Sequence, residues 1–188
     1  MKILETKRCI LRPVTLEDSA DLFECYKQDI VVKYLPIKKH KSIKDTEDFI
    51  KSFFLKNYNY NKISHFVIVY KKDNKVIGNV GFNNISINSK SGEIGICINP
   101  TYWGNNLSTE LAIELLRYGF EELSLEKIIA IAFEENRYSK KPLEFLGFTF
   151  TGAYRKKMHT KQNIICHKYE MARADYLSKN YKIYNAKG

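Results

Sequence analysis

The sequence predicts a mixed, mostly antiparallel α/β fold in a single domain, with one sheet flanked by helices. Three observations carry this. Short runs rich in β-branched and aromatic residues, such as 65–70 (HFVIVY) and 127–133 (KIIAIAF), have strand length and strand composition. Between them Leu111, Ala112, Leu115, Leu116, Gly119, Phe120 and Leu123 recur at helical spacing. Strands come in adjacent pairs both early and late in the chain.

The elements follow in order. Residues 9–13 (CILRP) form a short first strand, and Thr15 with Asp18 three residues on opens a helix through Leu22, Phe23 and Tyr26. Phe49, Ile50, Phe53 and Phe54 give 44–58 one apolar helical face. After the strand 65–70, Lys72, Asp73 and Asn74 turn the chain into a second strand, 76–82. A third, 93–98 (EIGICI), ends at Asn99 and Pro100. The longest helix runs from about Ser108 to Leu123, and the strand 127–133 is apolar throughout, as burial on both faces demands. Ser139 caps a short helix with Pro142 in its first turn, and Gly147 ends it. Strands near 149–155 and 164–170 close the pattern. The polar, tyrosine-rich residues 172–188 read as a C-terminal helical arm or tail after a domain spanning 1–171.

Composition narrows the function classes. An apolar fraction of 44% over 188 residues supports a packed core. Lys plus Arg total 31 against 21 Asp plus Glu, and the net charge of +10 favours an anionic partner without choosing among nucleic acid, membrane surface and phosphorylated cofactor. No apolar run approaches the roughly 18 residues of a membrane span, and Lys2, Glu5, Lys7 and Arg8 interrupt any secretory signal. Cys9, Cys25, Cys97 and Cys166 are scattered, with no C-x-x-C pair or clustered histidine. Membrane, secreted and zinc-finger classes are thereby excluded, and the expectation is a cytoplasmic protein with reduced, mostly buried thiols and no metal site.

The stretch 93–108 (EIGICINPTYWGNNLS) carries the chemistry. A strand enters a loop holding Gly104, Asn105 and Asn106, and the loop enters a helix. The first amides of a helix lack partners within it, and its dipole places about half a positive charge there, so such a loop suits an anion. The same residues also serve an ordinary strand-to-helix turn. Neither a G-x-x-x-x-G-K-[ST] loop nor a G-x-G-x-x-G loop after the first strand is present.

The run NPTYWGNNLSTELAIELLRYGFEEL resembles the acetyl-CoA-binding core of the GNAT-family N-acetyltransferases. More closely, it is similar to the ribosomal-protein-alanine branch, which reads roughly P-x-Y-W-G-x-G-Y-A-T-E-A-L. RCILRPVTLEDSADLF resembles the family's opening strand and helix, VIGNVGF with EIGICI its central strands, and Asn136, Ser139 and LEFLGF its N-x-x-S and L-E-K-L-G-F patterns. The likeness covers roughly residues 5 to 171. It departs at the pyrophosphate loop, [QRW]-x-x-G-x-[GA], where this chain has Trp103, Asn106 and Ser108. Asn is the non-glycine residue that best tolerates positive φ, so weakened rather than abolished binding is expected.

The resemblance implies acetyl-CoA as co-substrate, with no metal, and assigns roles. The backbone of Ile96, Cys97 and Ile98 would pair with the pantetheine arm, beside Trp103. Amides of Gly104, Asn105, Asn106, Leu107, Ser108 and Thr109 would hold the pyrophosphate, Lys140 and Lys141 the adenosine phosphates, and Asn136 the cofactor arm. Acetyl transfer requires an amine to lose a proton and a thiolate to regain one. Glu93 is the implied base, a salt-bridged sheet glutamate being the plainer alternative. Ser139 would stand near the sulfur or serve only as a helix cap, and Tyr138 is a weaker acid candidate. His40, His65, His159 and His167 show no triad or metal spacing and read as structural.

The implied reaction is direct transfer, in a ternary complex, to a primary amine, the N-terminal amine of a ribosomal-type protein. The alternatives are a small-amine enzyme (antibiotic or polyamine) and a non-catalytic CoA- or RNA-binding module. Two basic runs, 38–44 (KKHKSIK) and 155–161 (RKKMHTK), fall where the family's acceptor loops lie. They favour a neutral or acidic peptide end over polyamines, and they leave nucleic-acid contact open. No membrane contact is expected, and either monomer or dimer fits.

Overall fold

The β-branched runs form strands where the spacing predicts them, with edges shifted by a few residues. In the computed structural model of the chain residues 2–58, 64–157, 163–179 and 181 are described, with Asn57, Arg137 and Tyr138 as backbone alone. Among them lie β1 (Leu4–Glu5), β2 (Cys9–Arg12), β3 (His65–Tyr70), β4 (Lys75–Ser86), β5 (Ser91–Ile98), β6 (Lys127–Phe133), β7 (Thr149–Lys157) and β8 (Asn163–Ala172). The helices are α1 (Ser19–Tyr26), α2 (Asp29–Val32), α3 (Ile43–Phe49), α4 (Lys56–Tyr58), α5 (Leu107–Arg117), α6 (Arg137–Leu146) and α7 (Arg173–Ser178). Strand order is β1-β2-β3-β4-β5-β6-β8-β7. The β5–β6 pair is parallel, and β1–β2, β2–β3, β3–β4, β6–β8 and β7–β8 are antiparallel, the mixed, mostly antiparallel sheet predicted. No helix among the described residues is long and apolar enough to cross a membrane.

The chain divides into two compact units, residues 1–81 with 96–107, and residues 82–95 with 108–188. In the first, Asp18 accepts the Thr15 amide at 2.8 Å and a two-pronged pair from Arg12 at 2.6 and 2.9 Å, which fixes the entry to α1. One face of α1 buries Leu22, Cys25 and Tyr26 against Ile50, Phe54, Val67, Val69 and Val76. Burial of each large apolar side chain contributes about 1.5–3 kcal/mol. The helix predicted over 44–58 begins as α3, widens into a π-helical stretch at Ile50–Leu55 and ends as α4. Ile50 and Phe54, four residues apart in that stretch, are both in the core. α2 and β1 are too short to show a period.

In the second unit β6 alternates. Ile128, Ala130 and Ala132 are buried while Ile129, Ile131 and Phe133 are half-buried, so the two faces are not equally covered as predicted. α5 buries Leu111, Ala112, Leu115 and Leu116, and its final turns, Tyr118–Glu122, are π-helical. Two expectations for α6 need correction. Ser139 is inside its first turn, with Asn136 at the cap position, and Pro142 stands in the helix interior. The cause is a cap made by backbone: Ser139 N–H donates to the Asn136 carbonyl at 3.3 Å, so the helix starts three residues early. Gly147 ends it at φ 88°, as predicted. Among the described residues after Met171, Tyr176 stacks on Phe120 at 4.9 Å, and Tyr181 donates to the Leu146 carbonyl.

Candidate functional site

The loop between β5 and α5 is ordered by its own side chains. Asn99 N–H donates to the Ile77 carbonyl at 2.7 Å, which ties the end of β5 to β4. The Asn99 side-chain oxygen accepts the Thr101 amide at 3.1 Å, and Pro100–Tyr102 form a single turn. Tyr102 donates to Asp73 at 2.9 Å; partial burial and that carboxylate hold the phenol above its ordinary value. Trp103 Nε1–H donates to the Ile98 carbonyl at 2.7 Å. One lone-pair direction of that carbonyl is thus already used, which narrows the expected pairing of Ile96–Ile98 with a pantetheine arm.

Gly104 has φ 102° and open space where a Cβ would stand, so a ligand can approach its backbone closely. Asn106 occupies the left-handed region at φ 55°, as its residue type allows. Its amide donates back to the Gly104 carbonyl. The first-turn amides of α5, at Leu107, Ser108 and Thr109, have no acceptor within the helix. Asn105 is exposed, Leu107 buried, and Ser108 and Thr109 half-buried.

The remaining candidates belong to the second unit. Glu93, half-buried on β5, lies opposite Ile129 of β6, and Asn84 donates to it at a long 3.4 Å. Its charge acts on Tyr154, which nothing in the local sequence marks, and on Cys166, which the sequence marks only as a scattered thiol. Tyr154 lies opposite Cys166 across β7 and β8. Burial first, then Cys166 and Glu93, hold Tyr154 above its ordinary value; burial likewise holds Cys166 above its own, with Glu93 acting the same way and Lys156 and Tyr154 against it. Only cross-strand register brings 154 to 166, so no local motif announces the pair.

Asn136 follows β6, and its amide donates to the Phe133 carbonyl at 2.8 Å. Its side-chain Oδ1 is shielded from solvent and has no hydrogen-bond partner. A buried acceptor left unpaired costs about 1–3 kcal/mol. Ser139 and Lys140 are half-buried and Lys141 is exposed; the Tyr138 side chain lies outside the described residues.

Several expectations about other side chains are settled. Cys9, Cys25, Cys97 and Cys166 are free and buried. Burial pushes the Cys25 thiol up to about 12 and Cys97 well above its ordinary value. His40, in the first basic run, is buried and bonded to Thr46 at 2.9 Å, and burial holds it below the ordinary histidine value. Lys39 pairs with Asp29 and Lys44 with Asp48, both at the surface. In the second run Arg155–Lys157 belong to β7 and not to a loop, while residues 158–161, His159 included, lie outside the described residues.

Comparison with known proteins places this geometry. Residues 8–149 match the model of the acetyltransferase (GNAT) domain. An uncharacterized N-acetyltransferase of Bacillus subtilis (strain 168), YoaA, is 31% identical over 157 residues, 84% of this chain and 88% of that protein. Among solved structures, a ribosomal-protein-S5-alanine acetyltransferase from Vibrio fischeri superposes with TM-score 0.79 at 19% identity, covering 94% of this chain and 99% of that one. The microcin C7 self-immunity acetyltransferase MccE, solved in complex with acetyl-CoA and AMP, superposes with TM-score 0.78 at 20% identity, covering 89% and 93%.

Proposed function

Because the chain belongs to the GNAT acetyltransferase family, and is an acetyl-CoA-dependent N-acetyltransferase, we propose that its acceptor is the N-terminal amine of a protein, of the ribosomal type, acetylated by direct transfer in a ternary complex. The observation that carries the co-substrate's placement is the unpaired, shielded Oδ1 of Asn136. It is an acceptor waiting for a donor, as an amide N–H of a pantetheine arm would be. The open backbone at Gly104 and the first-turn amides of α5 fit a pyrophosphate in the same way. Glu110, in that first turn, is the one acidic residue there.

The bound co-substrate supplies a thioester carbonyl open to attack. In this reading Glu93 takes the proton of the incoming amine as the new C–N bond forms and the C–S bond breaks. Ser139 orients the departing thiolate and relays a proton to it. Direct transfer suits the thiols of this chain, because Cys25 at about 12 and Cys97 far above its ordinary value stay protonated and unreactive. Arg155, Lys156 and Lys157, all exposed on β7, favour a neutral or acidic peptide over a polycation.

Isothermal titration with acetyl-CoA and with CoA tests the first half. Micromolar binding, about −8 kcal/mol, is expected; none at millimolar ligand overturns the placement. Initial rates on Ala-terminated hexapeptides, against spermidine and small amines, test the second. The peptides are expected to win, and faster turnover of spermidine rejects the acceptor assignment.

A further inference from the structure

The first unit holds a polar group that the roles above leave unused. β4 carries one residue more than β3 beside it: Val67 lies opposite Asn79 and Val69 opposite Val76, so Ile77 and Gly78 together face Ile68. Such a β-bulge re-aims the side chain that follows it. Gly78 permits the bulge, with φ 152° and no room for a Cβ, which would collide with the Cys97 carbonyl. Simple alternation from Val76 would send Asn79 to the opposite face. The extra residue returns it to the face where Val67, Val69, Val76, Cys97 and Tyr26 are buried together.

Tyr26 of α1 meets Asn79 there, and its phenol O–H donates to Asn79 Oδ1 at 2.7 Å. Burial holds the phenol well above its ordinary value, so it keeps its proton and Oδ1 stays the receiver. The carboxamide is thereby oriented, and its Nδ2 carries two N–H donors that nothing among the described residues receives. Asn79 is half-buried. Asn136 Oδ1 is the one shielded side-chain polar atom without a partner among the described residues, so the Asn79 donors are open to solvent.

The donors stand beside the strand to which the co-substrate arm is assigned. Asn99 N–H donates to the Ile77 carbonyl at 2.7 Å, and a Cβ on Gly78 would stand 3.0 Å from Ile98 Cα. Asn79, next along β4, is therefore one strand spacing, about 4.8 Å, from the segment Ile96–Ile98. An acceptor that comes up to an arm laid along that segment meets a pair of N–H groups, and N–H groups select an oxygen. We propose that Asn79 is a specificity-determining residue for the acceptor, its Nδ2–H donating to a carbonyl oxygen next to the reacting amine, as the first peptide carbonyl of an N-terminal residue provides; this rests on the peptide acceptor proposed above. An alkyl amine without that oxygen leaves the donors to water. The plainer role of Asn79, receiving the hydrogen bond of a buried phenol, acts on all substrates alike.

Initial rates on an Ala-terminated hexapeptide and on isopropylamine, which keeps the alanine amine and methyl group without the carbonyl, test this on the full chain. The unaltered protein is expected to favour the peptide in kcat/KM; equal or better turnover of isopropylamine rejects the peptide acceptor, and this inference with it. Where the peptide is favoured, Asn79→Ala is expected to lower the peptide-to-amine ratio about five- to tenfold, the effect of one lost hydrogen bond, mainly through the peptide KM and with the acetyl-CoA Kd unchanged. A fall of less than about twofold, the low end for one hydrogen bond, overturns the Asn79 role and leaves the peptide reading standing. Asn79→Ala also leaves the Tyr26 phenol unpaired, so its melting temperature should drop. Asn79→Asp keeps an acceptor for that phenol and removes both N–H donors, and it is expected to lower the ratio as far. A ratio restored in Asn79→Asp would assign the effect to packing around Tyr26 and overturn the inference.

Discussion

Trp103 donates its indole N–H to the Ile98 carbonyl at 2.7 Å, and in doing so folds the Gly104–Asn106 loop back onto the end of the strand that precedes it. The bond spans five residues and joins the two parts of the chain to which the co-substrate roles are assigned. Trp103→Phe keeps an aromatic ring and removes the donor. It is expected to cost about 1 kcal/mol of stability in urea denaturation and to weaken acetyl-CoA binding severalfold, because the loop loses its tie. Trp103 is also the one tryptophan of the chain, so its emission should change on adding CoA. Unchanged emission at saturating ligand removes the loop from the binding site.

Asn136→Ala separates fold from ligand at the unpaired Oδ1. The side chain makes no cap bond to α6, so its loss takes no hydrogen bond from the fold. The variant should melt at the same or a slightly higher temperature without ligand, since a shielded unpaired acceptor is gone. Its Kd for acetyl-CoA should rise about tenfold. A lower melting temperature with unchanged Kd would mark Asn136 as structural.

His40 makes stability depend on pH in a definite direction. Burial lowers its folded-state pKa, the largest cause, while Asp45 acts the other way. Below the ordinary value of about 6.5 the unfolded chain binds the proton more readily than the folded one. The stabilisation is therefore complete above that value and is lost as pH falls toward the folded pKa. Urea midpoints at pH 7.5 and 5.5 should show a drop that is smaller in His40→Gln.

The four buried thiols should resist modification. With burial holding Cys25 near 12 and Cys97 well above its ordinary value, the native protein is expected to release little colour with a thiol-specific disulfide reagent, and all four equivalents once unfolded in urea. Rapid reaction of the native state would place at least one thiol in solvent.

Some of this protein is written locally in its chain. The strands His65–Tyr70 and Lys127–Phe133 are legible because β-branched runs of that length fit little else, and Gly147 closes α6 because a left-handed cap favours glycine. The strand-loop-helix around Gly104, and the left-handed Asn106, are legible for the same reason: each depends on residues a few positions apart. What only the tertiary structure decided is non-local or shared between backbone groups. The start of α6 moved from Ser139 to Asn136 because backbone bonds outweighed a side-chain cap. The Asn106 amide bonded to the Gly104 carbonyl, and the Ile98 carbonyl was taken by an indole. Most of all, nothing near Tyr154 in sequence indicates Cys166. Cross-strand register, set by which apolar faces bury together, brings them opposite each other.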